Sequence, residues 1–136
     1  RAVALSDDQD LVLVSSFNNI LTCLNKWGEY QWHKESGRYP YRIAASPDGM
    51  YIATGSEDRN VSLLDRTGRV LWQYPTDGSV NGIYFCTDNR NILAGSEDQT
   101  IYKLDLAGKL VWDQDVGSEV AGVCSTKTGE IMIQLS

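Results

Sequence analysis

The chain has 136 residues, and its 18 acidic and 12 basic side chains leave a net charge of −6. This acidity argues against the basic surface that nucleic-acid binding requires, and the apolar runs are much shorter than the roughly 20 residues of a membrane span. One His and 3 scattered Cys show no metal-ligand spacing. We therefore expect no nucleic-acid partner, no membrane span, no metal and no cofactor.

A repeat of 40 residues organises the chain from its first unit onward. The tetrapeptide Gly55-Ser56-Glu57-Asp58 returns as Gly95-Ser96-Glu97-Asp98. Glycines and tryptophans recur at the same interval: Gly28, Gly68 and Gly108; Trp32, Trp72 and Trp112. Such self-similarity is typical of repeat architectures. It divides the chain into units 1–40, 41–80 and 81–120 and a partial unit 121–136, with no insertion or deletion expected between them.

Each unit is predicted to hold four short strands. In the second unit these are 42–45, 51–54, 61–64 and 70–74, and Ser46-Pro47-Asp48-Gly49 supplies the first turn. Hairpin-length links between β-rich runs favour an antiparallel meander, and no helical period is present.

Four antiparallel strands in each 40-residue unit are typical of a β-propeller blade. We predict an all-β fold, a partial β-propeller of four-stranded antiparallel blades with about 3.4 repeats. Blades 1 to 3 would be 1–40, 41–80 and 81–120, and 121–136 would form the inner half of blade 4. A β-helix or a sandwich is the structural alternative.

The back half of each unit carries a motif of Asp or Asn, two residues, Gly, three residues and Trp. It runs from Asp65 to Trp72, and it returns at Asp105 and Asn25. This motif resembles the tryptophan-docking repeat of pyrroloquinoline-quinone-type propellers. The resemblance implies that each indole packs against the next blade. The implied structural docking residues are Trp32, Trp72, Trp112, Gly28, Gly68 and Gly108.

The front half of each unit resembles a WD-repeat instead, on Ser46-Pro47-Asp48-Gly49 and the run 52–58. It departs from that family at Leu64 and Leu104, which replace the Trp of the Trp-Asp pair. The Gly-His dipeptide is also missing, since Gly78-Ser79-Val80 holds no His. We interpret the chain as a hybrid of the two repeats within the propeller superfamily.

The number of units predicts open ends. Closed propellers have roughly 4–8 blades, so an arc of three whole blades and a partial fourth would expose two apolar blade faces. We expect the chain to be a piece of a longer one, and we expect the remaining blades or a protein partner to cover these faces. Alone, it should associate.

Two groups of residues are candidate interaction sites. Glu57, Asp58, Glu97 and Asp98 lie in equivalent turns on one rim, where they could bind a cation or a basic partner or could cap their own turns. The second group combines aromatic rings with Arg, as interface hot spots do, although packing at blade edges is an equal alternative. It consists of Trp27, Tyr39, Tyr41 and Arg42.

The function predicted from these observations is a non-catalytic protein-interaction or scaffold propeller. His33, Cys86 and Cys124 fall on strands too far apart for a catalytic pair, and Asp7, Asp8 and Asp10 fall in a hairpin turn, so we predict no enzyme and no Ca²⁺ site. The alternative, implied by the docking motif, is part of a quinone-cofactor dehydrogenase. Unpaired thiols indicate a cytoplasmic location.

Overall fold

The computed structural model describes residues 2–8, 10–35 and 40–136. These residues form strands and turns, with no helix among them. The strands are β1 (Ala2–Leu5), β2 (Val12–Ser15), β3 (Ile20–Leu24), β4 (Tyr30–Glu35), β5 (Pro40–Ala45), β6 (Tyr51–Ser56), β7 (Asn60–Asp65), β8 (Val70–Pro75), β9 (Val80–Phe85), β10 (Asn91–Ser96), β11 (Thr100–Asp105), β12 (Leu110–Asp115), β13 (Val120–Ser125) and β14 (Ile131–Leu135).

The strands pair in chain order into separate antiparallel sheets. Strands β1–β4, β5–β8 and β9–β12 each form a four-stranded sheet, and β13 and β14 form a two-stranded one. The first strands of successive sheets contact one another, so β1, β5, β9 and β13 form the inner side of the arc. The predicted all-β partial propeller is confirmed.

The turn between the third and fourth strands of each blade is held by one side chain. In the second blade, Asp65 Oδ1 accepts hydrogen bonds from the backbone N–H of Thr67 at 2.9 Å and of Arg69 at 3.1 Å. Gly68 follows with a φ of 89°, a left-handed conformation that side chains disfavour. Asn25 and Asp105 make the same pair of bonds in the other blades, so the motif holds the turn by Asx chemistry.

The core lies between the blades. One buried cluster joins the first and second sheets, and it includes Leu13, Cys23, Ile52 and Leu64. Its counterpart between the second and third sheets includes Leu63, Phe85, Ile92 and Leu104. The buried polar residues outside these two clusters are all Ser or Thr. Burial of apolar area between adjacent sheets is therefore the main force that holds the arc together.

The fourth unit is one residue shorter than the others in its first turn. That turn is closed by a bond from Ser46 N to Tyr51 O in the second blade, but by a bond from Thr126 N to Glu130 O in the fourth. As a result Ile131, paired with Ser125, takes the place that Ile92 has opposite Phe85. The expectation of an unbroken register was wrong here, because the short remainder offered no later landmark against which a deletion could be seen.

Candidate functional site

Each of the first two blades is locked to the next by its tryptophan. Trp32 Nε1 donates to Arg66 O at 2.9 Å, and Trp72 Nε1 donates to Leu106 O, also at 2.9 Å. The glycine of the next blade lies against the indole. A Cβ atom on Gly68 would lie 2.9 Å from Trp32 Cζ3, and one on Gly108 would lie 2.9 Å from Trp72 Cδ2. The contact therefore requires both the indole N–H and the absence of a side chain opposite it.

The three indoles occupy matching places on β4, β8 and β12, and all are half-buried. They are not fully enclosed because they lie on the outer strands. No equivalent glycine lies beside Trp112 in the described chain, and its Nε1 donates no hydrogen bond to the described residues. Gly28 has the same positive φ as its counterparts, but a Cβ atom added to it would have no heavy atom within 4 Å, since no described blade precedes it.

The antiparallel meander sorts the turns into two rims. The first rim consists of the turns between the first and second strands and between the third and fourth strands of each blade. The second rim consists of the turns between the second and third strands and of the links between blades. Trp27 lies on the first rim. Glu57, Asp58, Glu97 and Asp98 lie on the second. The structure therefore separates Trp27 from the acidic group.

The acidic residues of the second rim are largely engaged within the fold. Asp58 Oδ1 accepts from Ser56 Oγ and from Asn60 N at 3.1 Å. Glu97 Oε1 accepts a hydrogen bond from Asn81 Nδ2 at 3.0 Å. Glu57 is the residue at the equivalent position of the preceding repeat. Turn capping thus accounts for Asp58, while Glu97 joins its turn to the neighbouring inner strand.

Asp98 is the centre of a small hydrogen-bond network. Its Oδ2 accepts from Tyr102 OH at 2.7 Å and from Asp77 N, in the link from the second blade, at 3.0 Å. Its Oδ1 accepts from Thr100 N at 3.0 Å. Sequence reasoning missed Tyr102, because nothing in the spacing shows that a strand residue reaches back to its own turn.

Arg42, on the inner strand β5, also bridges two blades. Its Nε donates to Asn81 O at 2.6 Å although the side chain is exposed. Arg42, Asn81 and Glu97 consequently form a chain of contacts across the boundary of the second and third blades.

The Tyr102–Asp98 pair predicts a loss of stability in alkali. Burial and the bond to Asp98 raise the pKa of Tyr102 above its ordinary value of 10. Because the folded state keeps the neutral phenol, this stabilisation is complete below pH 10 and is lost as the pH rises above it. The loss should steepen through pH 10 and approach about 1.4 kcal/mol per pH unit above it.

We expect urea titrations between pH 9 and 11 to show this decline in wild type. Tyr102→Phe should reduce the slope, because it removes the titrating group but keeps the ring. Equal slopes for the two proteins would contradict the assignment of the titration to Tyr102.

Trp27 is presented on the first rim by a rigid turn. The ring is 72 % exposed, and its backbone N–H donates to Asn25 Oδ1 at 3.0 Å. Lys26 Nζ lies 4.7 Å from the ring centroid and forms an ion pair with Asp10 at 3.4 Å. The other blades carry Thr67 and Ala107 at this position. An exposed indole is thus a feature of the first blade alone.

A second exposed aromatic residue lies three positions further on. Tyr30 is 59 % exposed, and its OH lies 2.6 Å from His33 Nδ1. The other blades carry Val70 and Leu110 there. Tyr39 and the side chain of Tyr41 lie outside the described residues, so only Trp27 and Arg42 of the predicted aromatic group can be placed. Trp27 lies on the first rim, and Arg42 lies on the inner strand β5.

The groups considered for chemistry are placed as follows. Cys23 and Cys86 are buried free thiols, and burial raises the pKa of both. Asp8 belongs to a turn, where hydrogen bonds from Ser6 and from Asp10 N lower its pKa. Within residues 2–8, 10–35 and 40–136, no three His, Cys, Asp or Glu side chains are grouped so that they could hold a metal ion. The same residues contain no helix long and apolar enough to cross a membrane.

Antiparallel blades in chain order, joined by tryptophan–glycine contacts, define this class of protein as a β-propeller repeat domain. A family model described as outer membrane protein assembly factor BamB matches residues 4–132. The chain belongs to this family of PQQ-like repeats. No curated protein matches the chain.

Proposed function

We propose that the protein is a non-catalytic propeller that binds another protein through the first rim of its first blade. The family description supports a partner that takes part in outer membrane protein assembly. The observation that carries the proposal is Trp27, which is 72 % exposed at a turn where the other blades carry small residues.

An indole in this position is suited to an interface. A Trp ring can bury 150–250 Å² and is among the residues enriched at interface hot spots. The bonds of Asn25 to Trp27 N and Glu29 N hold the backbone, and the Lys26–Asp10 ion pair holds the cation beside the ring. A pre-ordered turn reduces the entropy lost on binding.

The absence of catalysis is part of the proposal. The bond between His33 and Tyr30 and the burial of the Cys23 and Cys86 thiols support it. A quinone-cofactor dehydrogenase is the alternative that the repeat family keeps open. Adding pyrroloquinoline quinone and Ca²⁺ and following dye-linked alcohol or sugar oxidation separates the two, because activity would overturn the non-catalytic proposal.

We also propose the hybrid character of the repeat. The Asp98 network supports it, because a carboxylate in the turn between second and third strands accepts a hydrogen bond from the link that follows the preceding blade. Its other side-chain donor is Tyr102, in a repeat that lacks the His of the WD family. Cytoplasmic location stays a prediction from the free thiols, and the family description favours the cell envelope. Fractionation of cells with an antibody to the protein decides between them.

Replacing Trp27 tests the proposed surface. Trp27→Ala should weaken binding to the envelope proteins captured by wild type about 30-fold, as loss of an interface hot spot does. The matched control is Val111→Ala, which removes an apolar side chain that is 50 % exposed on the outer strand β12. Equal losses for the two variants, or none for Trp27→Ala, would contradict the proposal.

A further inference from the structure

A cavity of about 330 Å³ lies between the first and second blades, where they meet at the first rim. Leu11, Cys23 and Trp32 line it from the first blade, and Arg66 and Thr67 line it from the second. Leu11 and Cys23 are each 2 % exposed and form a buried floor, whereas Arg66 and Thr67 are exposed at the mouth. Both walls belong to complete four-stranded sheets, and the volume falls in the range of ligand pockets.

Small side chains leave this space open. By the repeat of 40 residues, Leu11 corresponds to Tyr51 and Cys23 corresponds to Leu63. Leu63 belongs to the apolar cluster between the second and third blades, and Tyr51 packs against that cluster. Leu is smaller than Tyr, and Cys is smaller than Leu. The floor of the first boundary therefore leaves room that larger side chains occupy at the second.

Arg66 gives the mouth of the cavity its charge. The third unit carries Leu106 at this position, and Leu106 packs against the apolar cluster. The backbone O of Arg66 accepts the bond from Trp32, but its guanidinium makes no hydrogen bond and no ion pair within 4 Å to the residues that the structure describes. Hydrogen bonds from Ser6 and from Asp10 N lower the pKa of Asp8, and the nearby charge of Arg66 adds to this effect.

The other polar side chains of the cavity already have partners. Asp10 forms the ion pair with Lys26 at 3.4 Å. Three more lining residues form side-chain hydrogen bonds within their own turn or strand: Asn25, Gln31 and Thr67. Arg66 is therefore the lining residue whose side-chain donors are left for a ligand.

These features specify the chemistry of that ligand. A guanidinium binds a carboxylate through paired, charge-assisted hydrogen bonds, and the buried floor can cover an apolar body. Asp8 and Asp10 place negative charge beside Arg66, so a second negative charge on the ligand would be repelled. A molecule with one carboxylate and a compact apolar body fits both conditions.

We propose that the cavity between the first two blades binds a small monocarboxylate, with its carboxylate on Arg66 and its apolar body on Leu11 and Cys23. This site is separate from the Trp27 surface and goes beyond the proposed binding of another protein. It is a feature of the first boundary, because the second carries Leu63 and Leu106 instead.

Three related compounds test the proposal. Phenylacetate has one carboxylate on an aromatic ring, phenylacetamide is its neutral match, and phenylmalonate carries a second carboxylate on the same body. NMR titrations of the isotopically labelled protein, with the indole N–H of Trp32 as the reporter, should show that phenylacetate binds. The other two compounds should bind about tenfold more weakly, one because it lacks the charge and one because it carries a second charge.

Two variants copy residues that the repeat already carries at these positions, so both should fold. Arg66→Leu should weaken the binding of phenylacetate about tenfold and remove its preference over phenylacetamide. Cys23→Leu should weaken the binding of phenylacetate and of phenylacetamide alike, because the larger side chain fills the floor. Thermal unfolding checks the fold of each variant.

Arg69→Leu is the matched control. Arg69 is an exposed arginine of the same turn, it pairs with Asp65 at 3.4 Å, and it is not among the residues that line the cavity. Its removal should leave the binding of phenylacetate unchanged. The proposal is overturned if wild type does not bind phenylacetate, if phenylacetamide binds equally well, if Cys23→Leu binds like wild type, or if Arg69→Leu loses as much affinity as Arg66→Leu.

Discussion

Trp72→Ala should lower the free energy of unfolding by about 3 kcal/mol, the lower end for a buried aromatic, because the indole is half-buried. The substitution removes the 2.9 Å hydrogen bond to Leu106 O and the contact with Gly108 together. It also leaves a carbonyl of the next blade without its donor. Urea unfolding followed by circular dichroism measures the change.

Trp112→Ala is the matched comparison. This indole has the same place in its blade, but its Nε1 has no acceptor in the described chain, and the ring borders a cavity of about 420 Å³ that Ile133 also lines. Its removal should cost about 1 kcal/mol or less, as for a surface side chain. Equal costs for the two substitutions would show that the indoles act within their own blades and do not join neighbouring ones.

Gly68→Ala should destabilise the protein by about 3 kcal/mol, of which about 1 comes from the left-handed backbone and about 2 from the clash with Trp32. The added Cβ would lie 2.9 Å from Trp32 Cζ3, closer than carbon atoms pack. Gly28→Ala separates the two causes, because Gly28 has a φ of 78° and no heavy atom within 4 Å of an added Cβ. It should cost about 1 kcal/mol.

A double substitution gives a further check on the same contact. With Trp32→Ala already present, Gly68→Ala should cost only the backbone part, about 1 kcal/mol, because the clashing ring is gone. Additive effects of the two substitutions would mean that the glycine is required for the turn alone. Thermal and urea unfolding of the four proteins complete the cycle.

The fold was predictable from the sequence because the repeat supplies its own alignment. The interval between Trp32, Trp72 and Trp112 places three equivalent blades, and turn residues such as Pro47 and Gly49 end the strands near where the structure ends them. Strand propensity alone would not have predicted these blades, because a single short β-rich run can be either a strand or a segment of a buried helix. Repetition removed the ambiguity.

The sites were less predictable, because they depend on which side chains face each other across blades. The sequence alone could have singled out Lys103, because it aligns with Cys23 and Leu63 and is a cation where the other units carry an apolar residue. That this position faces the next blade became clear only from its pairing with Trp112 in the structure. The hydrogen bonds of Tyr102 to Asp98 and of Arg42 to Asn81 O could not be predicted from the spacing of residues in the sequence.

The tryptophan contact also bears on how such a chain can grow. Trp32 reaches a carbonyl 34 residues later, and Trp72 does the same, a span shorter than one 40-residue unit. The indole donor and its carbonyl acceptor therefore lie in consecutive units, always the same number of residues apart. A tandem duplication of any 40 residues in register adds one indole donor and one carbonyl acceptor, each in position to bond with the neighbouring unit. Gene duplication can therefore lengthen the arc without a compensating change elsewhere.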